Sequence, residues 1–403
     1  MSKASRFWNG LSAWTTSVLG ALLLVGITST PAQPDEPQGQ ADSQVILRDA
    51  RAALKAGDEK RAIAILSRLP PKDGASHFAA GSMLVDAKAY AAGAVEFGKA
   101  RQTYPDPYLA GYNQTLAYER AGDHAAAINT ANELLNQGHE TADLAILAAE
   151  AYSKSGKARE AYNALRLATK LDPKNEDAYV ELCELALDRD DYDLGLEITN
   201  IGLAQLPRSE RLYLQRGVMR AMKGQFGEAE SDYTTAQSLA PQEALPDVAL
   251  GLVAMQAGQL QKSVDILRRA AARHPDHYLA QFWFATALLH AGATPNTKEG
   301  DEALSALQTS VRLNPEFWHS RADLGKELLD RGEVDPAIAQ LRKAASLNPK
   351  ASSPLYLLAR AYKKKGDDQA ANELMERVSR VQAEEREPIP EVDLKRLLRP
   401  AEQ

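Results

Sequence analysis

The sequence predicts an all-α chain folded as a solenoid, a superhelix of about ten stacked helix–turn–helix units. Three observations carry that prediction. Glycines that interrupt helical patterns fall at Gly122, Gly156, Gly224, Gly258, Gly332 and Gly366; three of the intervals are 34 residues and a fourth is 68. Prolines that close the units keep the same beat, at Pro105, Pro173, Pro207, Pro241, Pro275, Pro315 and Pro349. Small residues mark a third register, at Ala127, Ala161, Gly195, Ala229, Ser263, Ala303, Ala337 and Ala371. Three position classes sharing one period leave chance a poor explanation, and a period of this length is the signature of a stacked array.

Composition agrees. Apolar residues make up 44% and charged residues 25% of the 403, enough apolar content to fold rather than stay disordered. Aromatics are only 6%, few for a sheet protein, and β-branched runs are scarce. The net charge of −7, with both signs interspersed, argues against a nucleic-acid partner held by a broad basic face. A single cysteine, Cys183, excludes an internal disulfide framework and a thiolate zinc site. Its apolar mid-helix neighbours make it a small buried residue.

Taken in order, residues 1–32 have the layout of an export signal. Lys3 and Arg6 precede an apolar run from Leu11 to Ile27, and small residues from Thr28 to Ala32 offer a cleavage site. Cleavage there yields a periplasmic or secreted protein. The alternative is an uncleaved single-span anchor, with membrane association through residues 11–27; either way the rest of the chain is expected outside the cytoplasm. Residues 33–42, rich in Pro and Gln, read as a flexible linker.

The array spans 43–386, with units starting near Ser43, Gly74, Tyr108, Ala142, Glu176, Glu210, Ala244, Tyr278, Trp318 and Ser352. The ninth is the most regular. Leu324, Leu328 and Leu329 recur at helical spacing, Gly332 breaks the pattern, and Ala337, Ile338, Leu341, Ala344 and Ala345 share the face of a second helix. Asp335 stands where it can cap that helix, with Pro336 at its first position. A lone hairpin cannot bury both apolar faces, so each unit needs its neighbours.

Departures from the period mark special places. The first unit is short and runs into Pro70-Pro71. In the fifth, Asp190 replaces the turn glycine within the acidic run Asp188–Asp193. That run lacks the central glycine and final glutamate of a calcium loop, and reads as a solvated turn that caps the next helix. The eighth carries about six extra residues around Ala293–Gly300, expected as a loop on one edge. Residues 387–403 form a Pro-containing tail with a short amphipathic stretch, Glu391–Leu398, which packs on the last unit, docks to a partner or enters the chain's own groove.

The period is joined by a residue pattern. Leu-Gly pairs occur at Leu250-Gly251 and Leu324-Gly325; Tyr118, Tyr152 and Tyr362 share one position, and Phe97 and Tyr233 another. In these residues the chain resembles the tetratricopeptide repeat family over about 340 residues. The resemblance implies a concave surface on which first-helix side chains contact a bound peptide. The matching positions give Gln44, Arg51, Lys55, Ser82 and Asp86 in the first units, and an acidic-leaning set, Asp143, Glu150, Lys154, Glu184 and Asp188, in the fourth and fifth. Units six to eight offer Leu214, Val218, Met222, Val248, Leu252, Met255, Phe282 and Leu289, and the last two turn basic with Lys326, Arg360 and Lys363.

An apolar strip of that length is expected to hold an apolar or amphipathic segment, with the basic residues receiving an acidic group. The competing expectation is that these side chains pack against each other, or that the tail covers them. The Lys/Asn pairs with which chaperone-binding relatives grip a terminal carboxylate do not occur at the matching positions.

Catalytic signatures are missing from the sequence: no phosphate-binding glycine loop, no G-x-S-x-G and no H-E-x-x-H. His274 and His277 flank Pro275 without a third metal ligand. No catalytic residue, cofactor or metal site is expected. The expected function is a non-catalytic extracytoplasmic scaffold or adaptor for a protein or peptide partner. The alternative is an accessory subunit of a membrane-associated envelope complex, serving polysaccharide synthesis, secretion or assembly, anchored by its N-terminal helix.

Overall fold

The computed structural model describes residues 38–384, and every regular element among them is an α-helix. The helices come in antiparallel pairs: α1 (Gln38–Lys55) with α2 (Glu59–Leu66), α3 (Gly74–Asp86) with α4 (Tyr90–Ala100), α5 (Pro107–Arg120) with α6 (His124–Asn136), α7 (Ala142–Lys154) with α8 (Ala158–Leu171), and α9 (Glu176–Asp188) with α10 (Tyr192–Gln205). The second half continues with α11 (Glu210–Met222) and α12 (Phe226–Leu239), α13 (Ala244–Gln256) and α14 (Leu260–Arg273), α15 (Tyr278–His290) and α16 (Lys298–Leu313), α17 (Trp318–Asp330) and α18 (Val334–Leu347), and α19 (Ser352–Lys365) and α20 (Asp368–Glu384). The all-α solenoid is thus observed. The expected export signal and C-terminal tail lie outside the described residues. Among those described, no helix is long and apolar enough to cross a membrane.

One boundary differs from the sequence reading. α1 begins at Gln38, so the helix takes in residues 38–42 of the expected linker. Pro37 is the last proline before the array, and nothing after it denies the backbone a helical hydrogen bond.

The turn within each pair needs one residue in the left-handed region. Glycine supplies it in most units; Lys88 (φ 64°) and Asp190 (φ 54°) supply it where glycine is missing. Aspartate then starts many of the following helices. Asp123 accepts from the Ala126 amide at 3.0 Å, and Asp191 from Leu194 at 3.1 Å, so the acidic run of unit five does cap α10. Asp191→Ala is expected to cost about 1 kcal/mol, read as a lower thermal midpoint with unchanged helical circular dichroism. Asp335 behaves differently. The Gly332 turn places Glu333 at the cap of α18, and Asp335, inside the first turn, pairs with Lys365 at 2.7 Å.

Small residues set how closely the helices approach. A Cβ on Gly251 would lie 2.2 Å from Leu267 Cγ, so α13 and α14 can meet only at glycine. Ala127, Ala161, Ala229, Ser263, Ala303 and Ala337 are fully buried in the same register of the second helices. One apolar core runs without interruption from Ala149 to Ala361, with smaller clusters serving the first units. Cys183 lies inside it, and burial pushes its thiol pKa well up.

The extra residues of unit eight are shared between turn and helix. Residues 291–297 separate α15 from α16, where 257–259 suffice one unit earlier, and α16 has 16 residues against 14 for α14. Thr297 caps α16, its Oγ1 accepting from Gly300 N at 3.1 Å.

Candidate partner-binding groove

First helices of neighbouring units pack directly on one another: α1 on α3, α5 on α7, α9 on α11, α11 on α13, α13 on α15 and α17 on α19. Second helices of neighbouring units do not reach that closeness. The stack therefore curves toward its first helices, which line the inner face.

On that face the expected apolar strip is closed. Leu214, Val218, Val248, Leu252, Met255 and Phe282 are all buried, Val248 and Leu252 completely. Met222 and Leu289 are half-buried against the same core. In the middle of the array first helices come close enough for their inner side chains to cover each other. Phe282 meets Trp283 edge-on at 4.9 Å and Phe317 at 5.1 Å, an aromatic cluster at the joint next to the insertion. These six side chains are core, and the reading of them as an exposed binding strip is corrected.

The basic end remains open to water, but its charge is partly spent. Lys326 pairs with Asp330 at 3.1 Å, and Arg360 stands 3.9 Å from the same carboxylate. Lys363 is exposed. Lys364 donates to the Leu329 carbonyl at 2.9 Å, satisfying the end of the preceding first helix.

An opening exists in the acidic third to fifth units. A cavity of about 720 Å³ is lined by Glu119 and Arg120 of α5, Ala149, Glu150, Ser153 and Lys154 of α7, Leu165 of α8, and Glu181, Glu184, Leu185 and Asp188 of α9. Five carboxylates face two cations. Glu119, almost fully buried, is held by Lys154, with Arg120 at 3.7 Å. Desolvation pushes Glu150 up to about 7, aided by Glu181 and Glu119 and opposed by Lys154 and Arg120. Glu181 also rises to about 7, through desolvation first and then Glu184 and Asp177, with Arg211 and Lys154 opposing. The carboxylates are spread along the face: among the described residues no group of three or more metal-ligating side chains is gathered closely enough to hold a metal ion.

Of the residues expected here from sequence, the structure brings together Glu150, Lys154, Glu184 and Asp188. It adds Glu119, Arg120 and Glu181. Glu181 carried no periodic signal, since the residue 34 positions later, Gln215, is buried and lies outside the cavity lining.

Residues 142–175, 248–296 and 322–382 match models of the tetratricopeptide repeat. Over these segments the chain is similar to the tetratricopeptide repeat. The other helix pairs have the same left-handed turn and a buried small residue in the second helix. The yeast Tom70 crystal structure is similar over 85% of each chain, with a TM-score of 0.52 and 14% identity. A tetratricopeptide repeat protein from Parabacteroides merdae is similar over 63% of this chain and 98% of its own, at 13% identity and a TM-score of 0.48. MamA from Desulfovibrio magneticus covers 44% of this chain and 97% of its own, at 19% identity and a TM-score of 0.38. At such identities the likeness concerns the fold alone. Among curated proteins none matches the sequence.

Proposed function

We propose that the chain is a non-catalytic scaffold that binds a segment of a protein partner on the inner face of repeats three to five, and that it works outside the cytoplasm. The cavity of about 720 Å³ between three successive first helices carries this reading. It is the wide, polar part of a face that side chains close in the middle repeats. Repeat arrays offer such concave surfaces to extended ligands.

A photo-crosslinking residue placed at Ser153, exposed in the cavity wall, tests the site. It should capture a discrete partner in cells, while the same residue at Thr234, exposed on a second helix, should not. Equal capture at both positions defeats the reading.

The compartment rests on residues 1–32. Sequencing the mature N-terminus and releasing the protein by osmotic shock should give a soluble chain beginning near Gln33. The apolar run Leu11–Ile27 supports a second reading, an anchored accessory subunit of an envelope complex. Retention on membranes after a carbonate wash favours that one.

A further inference from the structure

We propose that the cavity in repeats three to five is selective for a basic segment of the partner, with a lysine or arginine side chain seated between Glu150 and Glu181. The inference rests on the groove reading above and names the chemistry of its occupant.

The first support is how the local cations are used. Lys154 is already bonded to Glu119. Arg211 is bonded to Asp177 and, at 3.2 Å, to Glu176. Arg120 stands 3.7 Å from Glu119. These three are the cations that act on Glu150 and Glu181, so the two half-buried carboxylates feel them only from a distance. A desolvated carboxylate is costly until a proton or a cation meets it. Burial pushes both carboxyls up to about 7, the direction in which a proton takes that place. A guest ammonium or guanidinium would do the same work and add hydrogen bonds.

The second support is geometric. Glu150 and Glu181 stand on neighbouring first helices, α7 and α9, and both line the cavity of about 720 Å³, as do Glu184 and Asp188. That lining holds five carboxylates against two cations, Lys154 and Arg120, which are both turned to Glu119.

The arrangement also selects the shape of the guest. Glu150 and Glu184 are 34 residues apart and so stand at the same position of successive repeats, both in the cavity lining. The acceptors form a row along the solenoid, which suits an extended chain with cationic side chains. A single metal ion needs converging ligands, and they do not converge.

The test uses the full-length protein at pH 8 and a fluorescent peptide of alternating lysine and serine, read by anisotropy, beside its glutamate counterpart. The lysine peptide should bind at least about 10-fold tighter than the glutamate peptide. Glu150→Gln with Glu181→Gln should weaken it about 10-fold, whereas Glu160→Gln with Glu299→Gln, exposed carboxylates elsewhere, should leave it unchanged. Each glutamine preserves shape and relieves repulsion, so circular dichroism should confirm an intact fold.

Equal binding of the two peptides, or no loss in the Glu150/Glu181 variant, overturns the proposal. So does displacement of the peptide by calcium alone. If Lys395→Glu with Arg396→Glu is needed before the peptide binds, the chain's own tail is the occupant and the proposal falls. Crosslinking at Ser153 together with indifference to lysine peptides would leave the groove reading standing and remove only this one.

Discussion

Leu252→Asp should lower the thermal unfolding midpoint by more than about 10 °C and split the transition in two. Leu252 is fully buried on α13, among the largest such side chains in the chain. Truncating a buried leucine to alanine alone costs about 2–5 kcal/mol. Aspartate adds the cost of burying a carboxylate in the apolar core, several kcal/mol more, or forces a buried proton onto it. Repeats touch only their neighbours, so the damage should be local. Repeats six to eight lose protection in hydrogen exchange while the array toward α1 keeps it. The control is Ile201→Asp, half exposed on α10, which should shift the midpoint by less than about 1–2 °C. A stable Leu252→Asp protein that has merely lost a partner would restore the apolar strip as a binding surface.

That expectation shows where the sequence was legible. The period was readable because it is local. Gly332 and Gly366 set left-handed turns, Asp191 caps a helix, and Ala229 is a fully buried small residue, each set within its own repeat. The fate of the inner face is not local. Whether Val248 and Leu252 line a groove or a core depends on how near α11, α13 and α15 come to each other. That is a sum of small rotations no single repeat encodes. The acidic lining was half readable for the same reason. Glu150 and Glu184 follow from register, but Glu119 enters the cavity only because α5 and α7 bring it beside Lys154. Asp335 failed for a smaller cause: a cap is fixed by the residue at which the turn ends, one or two positions from where propensity alone puts it.

Stability should fall as the pH rises from 5 to 8, and Glu150→Gln with Glu181→Gln should remove much of that slope. Both carboxyls lie above their ordinary 4.5, at about 7, chiefly because burial disfavours their charged forms. Between those values the folded chain holds more protons than the unfolded one, so unfolding becomes easier with rising pH. The stabilisation is complete below about 4.5 and is lost as pH passes 7. Each full shift corresponds to at most about 3 kcal/mol; partial exposure and the coupling of the pair reduce the total to about 2 kcal/mol. The groups facing them set the remainder: Glu119, Arg120 and Lys154 from α5 and α7, Asp177, Glu184 and Asp188 from α9, and Arg211 from α11. Glu210, at about 7, and Asp323, at about 6, move in the same direction and keep some slope in the double variant. Urea midpoints at pH 5, 6, 7 and 8 measure it. A lysine-bearing guest couples to the same protons: it favours the ionised pair, so its binding should strengthen across the interval in which the empty protein weakens. Parallel pH profiles for wild type and double variant, in stability and in peptide affinity alike, would show that Glu150 and Glu181 are not the groups that titrate.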